Sequence, residues 1–267
     1  MRSLLRRIII GTCGYTRYKP EENWKEKYGS KLRAYSYIFP SLELNETFYK
    51  LPKVETAIKW REEVPKDFEF TMKSWQAITH PLSSPTWRSF KGNLTDKERE
   101  SFGYLRPNQE IFKAWEKIKE VGEALKIKVC VIQTPISFGY SEENEKNIME
   151  FFDGITRGNF EIAWEPRGSW EKFPEKIKYI CDSLNIIHIV DIMREEPLSN
   201  HPIGYIRLHG LNKNKYNYNY NYKKEEIEIL AEKLETLLNK KERIYCMFNN
   251  YQMYENAKAL IELLKLK

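Results

Sequence analysis

Eight short β-type runs recur along this chain, each closed by a polar residue and followed by a stretch with helical spacing. No other feature limits the fold as strongly. The runs span 8–11, 41–44, 68–72, 128–133, 160–164, 186–190, 204–208 and 243–248. Each is rich in β-branched, aromatic or aliphatic residues and has the length of a buried parallel strand. Between them, helices are predicted over 22–39, 53–63, 108–125, 141–152, 170–184, 224–238 and 252–264. In 108–125, Ile111, Ala114, Trp115, Ile118, Val121, Gly122 and Leu125 recur at three- and four-residue steps along one face. Ser141 ahead of Glu142 and Glu143 reads as a cap, and Pro107 precedes the 108–125 helix. Only the connection 193–202 is too short and Pro-rich for a helix.

Strand and helix alternating eight times is the requirement of a closed (β/α)8 barrel of the TIM type, an α/β fold. An open doubly wound sheet fits less well. GTCGY at 11–15 is not the Gly-x-Gly-x-x-Gly fingerprint, and no Walker motif occurs, so there is no nucleotide cofactor motif. No composition shift marks a boundary, so residues 1–267 are expected to form a single barrel domain. The stretch 74–107, too long for a plain connection, reads as an insertion or lid over the barrel mouth.

With 41% hydrophobic residues in 267, and only 12 Gly and 12 Pro, neither a disordered tail nor a collagen-like chain is in play. Cys13, Cys130, Cys181 and Cys246 show no CxxC or zinc-ligand spacing and read as buried free thiols. The apolar run 8–10 is too brief for a signal peptide, and no run approaches the roughly 20 apolar residues that span a bilayer. A cytoplasmic protein is expected. The 44 Lys and Arg against 38 Asp and Glu leave +6, a mild excess that permits an anionic partner.

In such barrels chemistry gathers at the C-terminal ends of the strands. Reading just past each run gives Tyr15 after the first, and Glu43, Asn45 and Tyr49 around the second. The third gives Lys73 and, further on, His80; the fourth gives Gln133; the fifth gives Glu165, Arg167 and Trp170. The last three give Asp191, then Arg207 and His209, then Asn249 and Asn250. Taken singly, Asn249 or Asp191 is a turn former or helix cap. Taken together, polar groups at nearly every end of otherwise apolar runs point to function.

These residues also carry a resemblance. GTCGY at 11–15, LELNETFYKLP at 42–52, FTMKSWQAITH at 70–80, LRPN at 105–108, VIQTPISF at 131–138, AWEPRGSW at 163–170, YIRLHG at 205–210 and MFNNYQMYENA at 247–257 resemble the YecE-like family, domain of unknown function 72. The resemblance covers nearly the whole chain and implies a TIM-type barrel. It implies no particular reaction; a likeness to endonuclease IV and xylose isomerase-like barrels is one of structural analogy. The chain departs from the usual motif at Cys13, where Ser is common, and at Tyr15, where Trp is common. No nucleophilic or metal-binding role is therefore carried over to Cys13.

Two chemistries use the strand-end set. Glu43, Glu165, Asp191 and His209 could hold a divalent Mg²⁺, Mn²⁺ or Zn²⁺ that activates water against a phosphoryl group. Without a metal, Glu43 and Glu165 could act as paired carboxylates, and Lys73 as an electrophile or Schiff-base amine, against the plainer alternative of a salt bridge across the mouth. His188 reads as a satisfied core residue and His201 as a solvated loop residue. The tract NKNKYNYNYNYKK at 212–224, if extended, puts Tyr216, Tyr218, Tyr220 and Tyr222 on one side, as a stacking ladder for bases or sugar rings. Alternatively it is low-complexity disorder. The insertion interleaves Trp75, Trp87, Phe90, Phe102 and Tyr104 with Arg88, Lys91, Arg99 and Arg106. It either contacts ligand or packs a small core of its own.

The expected function is hydrolysis of nucleic acid phosphodiesters, endonuclease-like and assisted by a divalent metal. Arg167, Arg207 and Lys73 would hold phosphate, while Asn45, Gln133, Asn249 and Asn250 orient the ligand. The alternatives are a sugar or phosphosugar hydrolase or isomerase, and a non-catalytic nucleic-acid binder. All three share an anionic, ring-bearing ligand.

Overall fold

A computed structural model describes residues 4–214 and 217–266. Eight parallel strands, β1 (Ile8–Cys13), β2 (Ser41–Leu44), β3 (Glu69–Lys73), β4 (Val129–Gln133), β5 (Glu161–Glu165), β6 (Ile187–Val190), β7 (Ile203–Leu208) and β8 (Arg243–Phe248), close into a barrel in sequence order. Closure is made by β1 against β8, with Ile8 opposite Ile244 and Thr12 opposite Phe248. Every predicted run is a strand, displaced by two residues at most.

Strand side chains alternate between two apolar layers, as a period of two requires. Ile9, Cys13, Val131, Ala163, Ile189, Tyr205, Tyr245 and Met247 belong to the cluster that fills the barrel. Their neighbours Ile8, Ile10, Cys130, Trp164, Ile206, Cys246 and Phe248 pack outward with the helices. This parity also puts Glu43, Lys73, Gln133, Glu165 and Arg207 on the inner face, at or near the strand ends. All four cysteines are buried and free.

The helix Gln109–Leu125 forms as its spacing predicts, capped by Asn108, whose Oδ1 accepts from the Ile111 amide at 3.0 Å. Ser141 caps Glu142–Gly154 in the same way, accepting from the Asn144 amide at 3.1 Å. The helix expected over 22–39 is instead two, Trp24–Tyr28 and Lys31–Ser36. Gly29, at φ 75°, ends the first, and Ser30 caps the second through the Arg33 amide. The helix expected from 170 begins at Pro174, after a 3-10 turn over Gly168–Lys172. No helix joins β6 to β7. Among the described residues no helix is long and apolar enough to cross a membrane.

The aromatics of 74–107 pack together and join the buried cluster between the strands and the helices. Trp75, Trp87, Phe90 and Phe102 meet one another with ring centroids 5.2 to 6.3 Å apart. Those four aromatics, read as potential ligand contacts, are therefore spent on packing. The segment folds back at Gly103, whose amide donates to the Ala77 carbonyl at 2.8 Å. A side chain there would strike the Pro81 backbone, and its φ of 94° favours glycine.

His188 lies in the outer layer of β6, with Nδ1 accepting from the Leu198 amide at 3.2 Å. Burial, then Lys241, pushes its imidazole down to about 3. An unfolded histidine takes up a proton near pH 6.5, so this contribution to stability is complete above that pH and is lost as pH falls from there toward 3. His188→Gln should flatten the loss between pH 6.5 and 5 by up to about 1.4 kcal/mol per pH unit. Urea denaturation of both proteins at several pH values measures it; equal slopes would contradict the assignment.

Candidate functional site

One guanidinium organises the strand ends. Arg207, on β7 and only 1% exposed, donates from Nε to Glu43 Oε2 at 3.1 Å and from Nη2 to Glu43 Oε1 at 2.9 Å. Its Nη1 bonds Glu165 Oε2 and reaches Gln133 Oε1 at 3.2 Å. Glu43 also accepts from the Tyr205 hydroxyl at 2.9 Å, and that hydroxyl lies 2.7 Å from Thr71 Oγ1. On the far side of Glu165, Arg167 donates to Oε1 from Nε at 2.8 Å and from Nη2 at 2.7 Å. Such two-pronged contacts are the geometry that lets an arginine be buried at all. Burial alone would raise the Glu165 carboxyl, but Arg167 and Arg207 overcome it and hold it well below the usual carboxylate range. Cys13 behaves oppositely: burial, then Glu43, pushes its thiol well up, so it is no ready nucleophile.

Above this network opens a cavity of about 650 Å³. Lys73, Arg167 and Arg207 line it together with the amides of Asn45, Gln133 and Asn249, and among the described residues no carboxylate does. Aromatic wall comes from Phe48, Tyr49, Tyr104 and Tyr218, and the insertion adds His80 and 81–86 except Leu82. Lys73 Nζ lies 3.8 Å from the centre of the Phe48 ring. Among the described residues that amine forms neither a hydrogen bond nor an ion pair, so no salt bridge is made by Lys73, whereas Glu165 does pair with Arg167. Burial, then Arg207 and Arg167, pushes it down to about 7. His80 packs edge-on to Phe48 at 4.9 Å with Nδ1 on Thr79 Oγ1 at 2.7 Å, and burial, then Lys73, lowers it to about 3.

Asp191 and His209 lie apart from this cavity, beside a narrow cleft of about 50 Å³ shared with Glu165 and Arg167. Asp191 accepts from the Met193 and His209 amides at 3.1 and 3.3 Å, turning the chain where β6 lacks a helix. Burial raises its carboxyl to about 6 against those bonds. His209 Nε2 is buried with no hydrogen bond, and burial lowers the ring to about 3. Four other expected ligand contacts belong elsewhere. Trp170 is fully buried behind β5, its Nε1 on the Phe138 carbonyl at 2.7 Å. Tyr15 packs toward Tyr35 and is not on the cavity wall. Asn250 is a buried structural amide, bonded to the Tyr220 carbonyl and to Asn256 Oδ1.

Tyr220, the fourth, belongs to the loop after β7, whose described tyrosines do not form a ladder. Tyr218 lines the cavity, Tyr220 donates to Glu226 Oε1 at 2.5 Å, and Tyr222 is buried with its hydroxyl accepting from the Gly210 amide at 2.9 Å. Tyr216 lies outside the described residues. Asn256, from the helix Met253–Leu266, clasps the tract: Nδ2 donates to Asn221 Oδ1 at 2.9 Å, and Oδ1 accepts from the Tyr222 amide at 3.3 Å.

The residues present do not fit the expected metal centre. Among the described residues no three His, Cys, Asp or Glu side chains gather closely enough to hold an ion. Arg207 occupies the space between Glu43 and Glu165 where a cation would have to be, and Asp191 opens on the other cleft. Phe48, Tyr104, Pro135, Ile136 and Ser137 also line the cavity and were not singled out by strand-end position. Phe48 could have been found: it falls in the one-turn helix Glu46–Tyr49 directly after β2.

The family model described as "Protein of unknown function DUF72" matches residues 9–267. The UPF0759 protein YunF of Bacillus subtilis (strain 168) is 35% identical over 72 residues, 27% of this chain and 26% of its own length. YecE of Escherichia coli (strain K12) is 39% identical over 51 residues, 19% of each. The aligned stretches thus span about a quarter or less of these curated relatives. In three dimensions, a DUF72 family protein of Enterococcus faecalis V583 superposes with a TM-score of 0.72 at 20% identity, over 98% of both chains. Another from Thermotoga maritima MSB8 gives 0.69 at 23%, over 97% of this chain and 99% of its own. More distant likenesses of fold are a D-allulose 3-epimerase of Methylomonas sp. (0.55, 12%, 97% of both chains) and endonuclease IV of Thermus thermophilus (0.51, 9%, 98% of this chain and 100% of its own).

Replacing Arg207 by Met should destabilise the barrel by about 3–5 kcal/mol, because Glu43 is left buried with only a tyrosine hydroxyl. Adding Glu43→Leu should recover much of that loss. Guanidinium unfolding of the single and double variants checks it, and additive losses would refute the dependence of Glu43 on Arg207.

Proposed function

The chain belongs to the DUF72 family, and from that premise we propose that the strand-end cavity is the active site of an enzyme acting on a phosphorylated, ring-bearing small molecule, a phosphosugar hydrolase or isomerase. One observation carries this reading: among the described residues the cavity wall holds Lys73, Arg167 and Arg207 and no carboxylate. An anion entering it meets the guanidinium groups of Arg167 and Arg207 and the amine of Lys73 as hydrogen-bond donors, in surroundings where Coulomb attraction is weakly screened. Its volume of about 650 Å³ falls in the range of roughly 300–1,000 Å³ typical of small-molecule sites. Phe48, Tyr49, Tyr104 and Tyr218 offer flat faces to a sugar or base, and Asn45, Gln133 and Asn249 offer amide bonds to its hydroxyls. The fold is shared with a D-allulose 3-epimerase, which agrees with sugar chemistry at this end of the barrel.

Endonuclease-like cleavage of nucleic acid with a divalent metal is the second reading, with non-catalytic nucleic-acid binding as its lesser form. The +6 charge favours it, as do exposed Tyr251, with the Arg17 guanidinium 5.9 Å from its ring, and the fold shared with endonuclease IV. A metal at Glu43 and Glu165 would first have to displace Arg207, which weighs against it.

Calorimetric titration with ribose 5-phosphate should show binding that weakens about 10- to 100-fold in Arg167→Gln, the loss expected for hydrogen bonds to a charged group. Labelled single-stranded, duplex and abasic oligonucleotides, with Mn²⁺ or EDTA, form the opposing arm. Metal-dependent cleavage without phosphosugar binding would replace the first reading by the second. Oligonucleotide binding with steep salt dependence and no cleavage would leave only a binder.

A further inference from the structure

We infer that Lys73 is a covalent catalyst, its ε-amine condensing with the open-chain carbonyl of a phosphosugar held in the strand-end cavity. This rests on the phosphosugar reading above and names the chemistry of that same site. Lys73 ends β3, is half-buried and lines the cavity. A lysine in such a position is ordinarily held by a carboxylate. Here the two candidates are taken: Glu43 by Arg207 and Tyr205, Glu165 by Arg207 and Arg167. What remains against the amine is the face of Phe48 at 3.8 Å, which positions it without accepting a hydrogen bond from it.

The charged groups around it act in one direction on balance. Arg207 from β7 and Arg167 beyond β5 repel an ammonium; Glu165 and Glu43 attract it more weakly; His80, from the insertion, is neutral at pH 7. With burial as the largest cause, the amine falls to about 7 and is substantially unprotonated at neutral pH. An ordinary surface lysine at pH 7 is unprotonated in only about one molecule in 10³. A desolvated lysine beside other cations is a recognised way to make an amine nucleophilic.

The step balances with one proton taken from solvent and returned on hydrolysis. The nitrogen lone pair attacks the carbonyl carbon, the C=O π pair moves to oxygen, and a proton passes from nitrogen to that oxygen, giving a carbinolamine. Protonation of its hydroxyl releases water as the nitrogen lone pair closes the C=N bond. The resulting cationic iminium withdraws electrons from the adjacent carbon and acidifies its C–H, the requirement for moving a carbonyl along a sugar. Hydrolysis reverses the condensation and returns the amine.

The full-length protein is incubated at pH 7 with ribose 5-phosphate and sodium cyanoborohydride, and the reduced adduct is located by peptide mass mapping. The expected result is an adduct on Lys73 at least about 10-fold above any other lysine, suppressed by inorganic phosphate and weaker with ribose. Lys73→Met, which removes the amine and adds no charge, should give no dominant adduct, with ribose 5-phosphate binding still detected by calorimetry through Arg167 and Arg207. Equal labelling of many lysines while ribose 5-phosphate binds would overturn the imine and leave the phosphosugar reading standing. Absence of both binding and adduct would overturn the two together. Should the variant not fold, the map of the unmutated protein decides alone.

Discussion

A guanidinium placed in the middle of a closed barrel has no water to turn to, so the barrel has to supply its counter-charges and hold them in register. Arg207 draws Glu43 from β2, Glu165 from β5 and the Gln133 amide from β4 onto one side chain of β7. Replacing such a network wholesale by apolar residues would cost little or even stabilise, whereas removing one member leaves a buried charge unmet. The arrangement is thus better understood as fixing positions than as supplying stability. It consumes Glu43 and Glu165, and in doing so leaves Lys73, among the described residues, against the Phe48 ring and without a carboxylate.

Much of the fold was legible because parallel strands buried on both faces must be continuously apolar, and the chain spells out all of them. The network was not. Glu43 and Arg207 are 164 residues apart, and only barrel closure brings them together. Position past a strand end was a coarse guide: it put Asp191 and His209 with Glu43, although the missing helix after β6 turns Asp191 into a bracket for its own loop. Period-two parity was the finer signal available, since Glu43, Lys73, Gln133, Glu165 and Arg207 each alternate with outward apolar neighbours. The tyrosine tract misled for a related reason. A period of two predicts one-sidedness only in an extended strand, and this loop has no strand to enforce it.

The insertion contributes to the cavity with few of its aromatics. Its tryptophans and phenylalanines pack together within the outer buried cluster, while His80, the prolines and serines of 81–85, and Tyr104 line the mouth. Aromatic content in such a segment reports first on whether the segment can fold, and only secondarily on what it touches.

Asn256 gives the cavity an unexpected dependence. Through Asn221 and Tyr222 it anchors the loop that carries Tyr218, so one wall of the mouth is tethered to the helix Met253–Leu266 as well as to the end of the strand it follows. The last turn of the barrel therefore acts as a tuning peg for the mouth. A shift of that helix would move one wall of the mouth while every charged group of the Arg207 network stays where it is.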